Sequence, residues 1–149
     1  MFRSWLQRKK LGASSMADEN MRVFIVDNNV AWRDAIGALL DQQADMKVIG
    51  KCPLNPRTLS QLTAARPDVL LLGHDTWSDE LQERICQLRQ DLPDMAIIIH
   101  GRLGQVTCAN VMEAGAAAYL PKGSSPSTIL KTIRDARYDL DVVTSNSTT

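Results

Sequence analysis

The chain has 149 residues, enough for one domain with a real core, and its 44% hydrophobic and 23% charged residues fit an ordinary globular protein. Seventeen basic residues balance seventeen acidic ones, so the basic excess of a generic nucleic-acid binder is missing. Three dispersed cysteines with no CxxC argue against a disulfide framework or zinc site and fit a reducing cytoplasm, and no apolar run approaches the roughly 20 residues of a membrane span.

Residues 1–20 read as a basic extension, disordered or included by a start upstream of Met16 or Met21. Phe2, Trp5 and Leu6 lie among Arg3, Arg8, Lys9 and Lys10, the pattern of a short amphipathic helix for a membrane surface or partner as the alternative. No apolar h-region follows the basic start, so it is not a secretory signal.

Val23-Phe24-Ile25-Val26 is a continuous apolar run closed by Asp27-Asn28-Asn29. A helix is expected over 30–42, with Val30, Ala35, Ile36, Leu39 and Leu40 as its stripe and Asn29 as its N-cap. A short strand over 46–50 follows, then a helix opened by Asn55 or Pro56 with Leu59, Leu62 and Ala65 inward. Pro67 stops that helix. Val69-Leu70-Leu71-Leu72 then has no polar face, which suits a central parallel strand covered on both sides. It ends in Gly73-His74-Asp75. Open α/β sheets place their chemistry at the carboxyl ends of such strands.

Ser78 is expected to cap a helix reaching Leu92, with Leu81, Ile85 and Leu88 on one face and Asp79, Glu80 and Glu83 in its first turns. Pro93 ends it, and Ala96-Ile97-Ile98-Ile99 leads to His100-Gly101. A weaker helix spans 105–114 with Gly115 at C′. Ala117-Ala118-Tyr119-Leu120 is the fifth strand, Lys122-Gly123-Ser124-Ser125 a loop, and Ser127 the start of a last helix with Ile129, Leu130, Ile133 and Ala136 inward. Residues 139–149 turn polar and read as a tail. Strand-helix five times over implies parallel strands, right-handed crossovers and a doubly wound α/β sheet, with the globular unit at 21–138.

Several stretches in register resemble the receiver domain of two-component response regulators, most of all the nitrate-response type. They are Val23-Phe24-Ile25-Val26-Asp27, Pro67-Asp68-Val69-Leu70-Leu71-Leu72, Ala114-Gly115-Ala116-Ala117-Ala118-Tyr119-Leu120-Pro121-Lys122, and Ile133-Arg134-Asp135-Ala136. The resemblance implies a flavodoxin-like five-stranded sheet of order 2-1-3-4-5. It also implies a site: a phosphoacceptor carboxylate, two further acids for Mg²⁺, a hydroxyl and a lysine for the phosphoryl group. Here the phosphoacceptor position falls on Gly73, which cannot be phosphorylated. The first acid is Asp27, its acidic neighbour is Asn28, the hydroxyl position is His100, and the lysine is Lys122. Tyr119 matches the aromatic that switches position on activation. Only Asp27 and Lys122 survive of the core set, so at most a weak Mg²⁺ remnant at Asp27 is expected, and no cofactor.

The resemblance therefore implies a pseudo-receiver that is not an enzyme. It would act in the cytoplasm by phosphorylation-independent contact with a protein partner or a second copy. Its contact face would lie within residues 105–137, with Gln105 and Arg137 at the ends and Tyr119 between them. Relatives of this type carry a C-terminal helix-turn-helix domain, and this chain ends about a dozen residues after its last helix, so direct DNA binding is not expected. Two other functions are weighed. Asp75 could be a displaced phosphoacceptor, although two residues of strand place it about 7 Å beyond Gly73. His74, His100, Asp75 and Asp27 could hold a metal or small molecule. A phosphohistidine relay has only the imidazoles for it. More simply, Asp27 and Lys122 form an ion pair, His100 fills the vacated pocket bonded to Asp27, and Tyr119 packs as an ordinary aromatic. Trp32 and Trp77 flank the mouth and either cover it or mark a contact.

Overall fold

The computed structural model describes residues 20–74, 78–102 and 105–138, with only the backbone for 105–108 and 138. The expectations for residues 1–19, Asp75, Trp77 and 139–149 lie outside these. Ten elements alternate: β1 (Met21–Val26), α1 (Val30–Asp41), β2 (Met46–Cys52), α2 (Thr58–Ala65), β3 (Val69–Gly73), α3 (Asp79–Asp91), β4 (Ala96–Gly101), α4 (Gln105–Ala114), β5 (Ala118–Pro121) and α5 (Pro126–Tyr138). The strands form one parallel sheet of order β2-β1-β3-β4-β5, the flavodoxin-like arrangement.

Alternating side chains of the central strands divide between two cores, as the period of two requires. Val23, Ile25, Val69, Leu71 and Ile98 pack against Ile36 and Leu40 of α1 and Ile129 and Ile133 of α5. Phe24, Val26, Leu70, Leu72, Ile97 and Ile99 pack against Leu62 of α2, Leu81, Ile85 and Leu88 of α3, and Val111 of α4. Helices thus cover both faces, and the carboxyl edge is left as the place where loops converge. No helix of the described residues is long and apolar enough to cross a membrane.

Two caps are as expected. Asn29 accepts the Trp32 N–H at 3.0 Å, and Ser78 accepts the Leu81 N–H at 3.1 Å. Gly115 follows α4 at φ +118°, a backbone that disfavours other residues. Two starts differ. Asn55 does not open α2: its side chain accepts the Arg57 N–H at 2.8 Å in a local turn, so the helix begins at Thr58. Ser127 is already inside α5, because Ser125 accepts the Thr128 N–H at 3.2 Å and Pro126 takes the first helical position. Strand β2 runs two residues past the expected end, to Cys52, which pairs with Val26.

Candidate functional site at the carboxyl edge

The sheet register assembles the site. Gly73 ends β3 directly beside His100 of β4, and His100 lies beside Leu120 of β5, two residues before Lys122. Asp27 follows β1, whose Val26 pairs with Leu72. Four of the five pocket positions singled out from the sequence, Asp27, Gly73, His100 and Lys122, therefore belong to one edge.

Asp27 is buried and held from several directions. Its N–H donates to the Cys52 carbonyl at 3.1 Å, and its own carbonyl accepts from Arg33 Nη1 at 2.7 Å. Oδ1 accepts the Asn29 N–H at 2.8 Å. Oδ2 faces Lys122 Nζ at 3.7 Å, with the Asp27 and Lys122 side chains only 6% and 18% exposed. Asp27 is shielded from water while Lys122 keeps partial access to it, and removal of the lysine would leave a buried carboxylate without its counter-charge.

Glycine at position 73 is what makes room for this arrangement. A Cβ built there would stand 2.5 Å from Asp27 Cγ and 3.1 Å from Asp27 Cβ, and would overlap Oδ2. The carboxylate of Asp27 thus leans into the space beside Gly73. This corrects the expectation that His100 fills that space bonded to Asp27. The Asp27 oxygens are directed at Asn29 and Lys122, whereas His100 is fully buried with its ring stacked on Trp32, centroids 4.2 Å apart and planes within 5°. Lys122 Nζ lies 5.4 Å from the Trp32 centroid, within cation–π range. Trp32 covers His100 at this mouth, and Trp77 lies outside the described residues. The signal was available in part: Trp32 is in the first turn of a helix that starts three residues after Asp27.

Asn28 does not face this cluster as a donor, because its Oδ1 accepts the Leu54 N–H at 2.8 Å and ties the loop after β1 to the chain after β2. Tyr119 donates its hydroxyl to the Gly101 carbonyl at 2.8 Å, bridging β5 to the end of β4. His74 continues the ladder, its N–H donating to the His100 carbonyl at 2.8 Å. Asp75 lies outside the described residues.

A Mg²⁺ ion takes six oxygens in strict octahedral geometry. Here one carboxylate is turned toward a lysine, the Asn28 oxygen is engaged, and Gly73 has none to give, so the residues do not fit that ion. Among the described residues no group of three His, Cys, Asp or Glu side chains is placed to hold a metal.

No protein-family model matches the chain. Individual proteins do. The transcriptional regulatory protein NarL of Mycobacterium tuberculosis is 25% identical over 131 residues, covering 87% of this chain and 61% of the relative. The transcriptional regulatory protein LiaR of Bacillus subtilis is 29% identical over 117 residues, covering 78% of this chain and 56% of the relative. The solved signal receiver domain of the Mycobacterium tuberculosis NarL superposes with a TM-score of 0.71 at 20% identity, over 80% of this chain and 97% of that domain. The described unit has the flavodoxin-like fold of response-regulator receiver domains. The chain spans little more than half the length of LiaR and about three fifths of NarL, so their whole-protein activities do not transfer with the fold. The resemblance drawn from the sequence assigns phosphoacceptor, second acid and hydroxyl to the positions of Gly73, Asn28 and His100.

Proposed function

We propose that this receiver signals by phosphorylation-independent protein–protein contact. The observation that carries the reading is Gly73: the phosphoacceptor position has no side-chain oxygen, and the carboxylate of Asp27 leans into its space. A phosphoryl group has no acceptor at Gly73, and among the described residues Mg²⁺ has no donor set to recruit it. The reading needs no cofactor and assigns the chain to the cytoplasm as a two-component-type signalling domain without enzymatic activity. Its contact face is α4, β5 and α5, and its partner is a protein or a second copy of the chain. Tyr119 lies on that face, joined by its hydroxyl to Gly101 at the end of β4.

The test is the intact mass of the purified protein after incubation with a small phosphodonor and Mg²⁺, beside a conventional receiver that becomes modified. The expected result is an unchanged mass. Addition of one phosphoryl group would overturn the reading, and mapping it to Asp75 would establish a displaced acceptor.

A further inference from the structure

The carboxyl edge holds two interactions joining elements that are distant in sequence. The Asp27–Lys122 pair joins the end of β1 to the loop after β5, at 3.7 Å. The Trp32–His100 stack joins α1 to β4, at 4.2 Å. The two meet where Lys122 Nζ stands 5.4 Å from the Trp32 ring. Gly73 conditions the first of these, because any side chain there would push Asp27 away from where it faces Lys122. His100 in turn is followed by Gly101, whose carbonyl holds the Tyr119 hydroxyl at 2.8 Å.

We propose that Asp27, seated in the notch at Gly73, is the built-in anion of this site, and that its pairing with Lys122 beside the Trp32–His100 stack clamps the carboxyl edge in one arrangement. The inference deepens the reading above and rests on it for its role in signalling. A side chain that is permanently part of the fold supplies the negative charge that Lys122 would otherwise meet on a phosphoryl group. The contact face is then set by the fold, through β4 and β5, and not by a modification. Gly73 is in this account a positioning residue: it acts by what it allows Asp27 to do.

The geometry makes a quantitative demand, which urea unfolding of the 149-residue chain can read through four proteins: the unsubstituted sequence, Gly73→Ala, Asp27→Ala and the double variant. Gly73→Ala is expected to lower the unfolding midpoint, and to lower it by less than half as much when Asp27 is already Ala, since the carboxylate it collides with is gone. Equal shifts in the two backgrounds would overturn the clamp.

A second measurement covers the case in which Gly73→Ala does not fold. The Trp32 indole N–H resonance, assigned with Trp32→Phe, is followed in Asp27→Asn, Lys122→Met and their double variant. The two single changes are expected to move it, and the double variant no further than the larger single. Additive shifts would overturn the pairing. No phosphodonor enters either experiment, so their failure is separate from failure of the phosphorylation-independent reading, which the mass measurement decides.

Discussion

Asp27 and Asp68 are buried to nearly the same degree at opposite ends of the sheet, and they are held in different ways. Asp68, just before β3, accepts the Arg22 N–H on Oδ2 at 2.9 Å while its own N–H donates to the Arg22 carbonyl at 2.8 Å. Its carbonyl accepts from Ala96 N–H and from Nη1 of the buried Arg137, which also donates to the Asp94 carbonyl at 2.9 Å. Arg22 closes the end of α2 through the Ala65 and Arg66 carbonyls. The amino edge is thus tied by backbone groups whose positions the sheet itself sets. At the carboxyl edge one oxygen of Asp27 meets a backbone N–H, and the other meets the end of a long lysine. An edge built on backbone partners has one solution. An edge built on side chains can be rebuilt when one residue changes.

The largest effect is expected at the amino edge. Arg137→Ala removes a buried guanidinium that joins the end of α5 to the strand starts of β3 and β4. The expected loss is about 3 kcal/mol, of the size seen when a buried polar network is broken. Urea unfolding would measure it. A loss no greater than that of a surface substitution would break the comparison, because the amino edge would then not be the more firmly tied of the two.

Lys122→Met comes next. It keeps much of the stem, removes the cation and leaves Asp27 with its Asn29 hydrogen bond alone. The lysine is partly exposed, so the full cost of an unpaired buried charge is moderated by water, and about 2 kcal/mol is expected from the same unfolding measurement. The order Arg137→Ala above Lys122→Met is the sharper result. Its reversal would mean that the carboxyl edge carries more of the stability than the amino edge does.

Much of this fold was legible in advance, and the reasons are local. Unbroken apolar runs in β1, β3 and β4 can be satisfied only by burial on both faces, and Pro67, Pro93 and Gly115 mark where helices stop. The strand order and the positions Asp27, Gly73, His100 and Lys122 came from the resemblance and not from these local signals, and the strand register brings the four to one edge. What was not legible depends on how side chains share space. Nothing in the chain order says that Asp27 leans toward Gly73, that Asn28 turns to Leu54, or that His100 lies flat on Trp32. The helix starts at Thr58 and Pro126 were displaced for a similar reason: Asn55 and Ser125 place short polar side chains on backbone N–H groups, and several nearby residues could have done so. Arg137 was missed as a structural residue, although it lies four positions after the inward Ile133 and so on the same helix face.

The smallest effect is a change of reactivity, and it examines the carboxyl edge from the side. Cys52 ends β2 beside Val26, and its carbonyl accepts the Asp27 N–H. Burial pushes its thiol above the ordinary value, with a Thr58 hydrogen bond and the charge of Arg33 working the other way. The folded protein therefore holds this proton more tightly than the unfolded chain does. The stability that follows is complete below the ordinary thiol value and is lost as pH rises through the raised one. At any given pH Cys52 has less thiolate than an unfolded cysteine, and thiolate is the reactive form. Alkylation, followed by peptide mass at Cys52, is expected to be slower in the native protein than in urea across the alkaline range. In Lys122→Met the native rate should rise if the edge opens locally. An unchanged native rate beside a lowered unfolding midpoint would mean that the lysine acts on global stability alone, and that Asp27 and Cys52 keep their places without it.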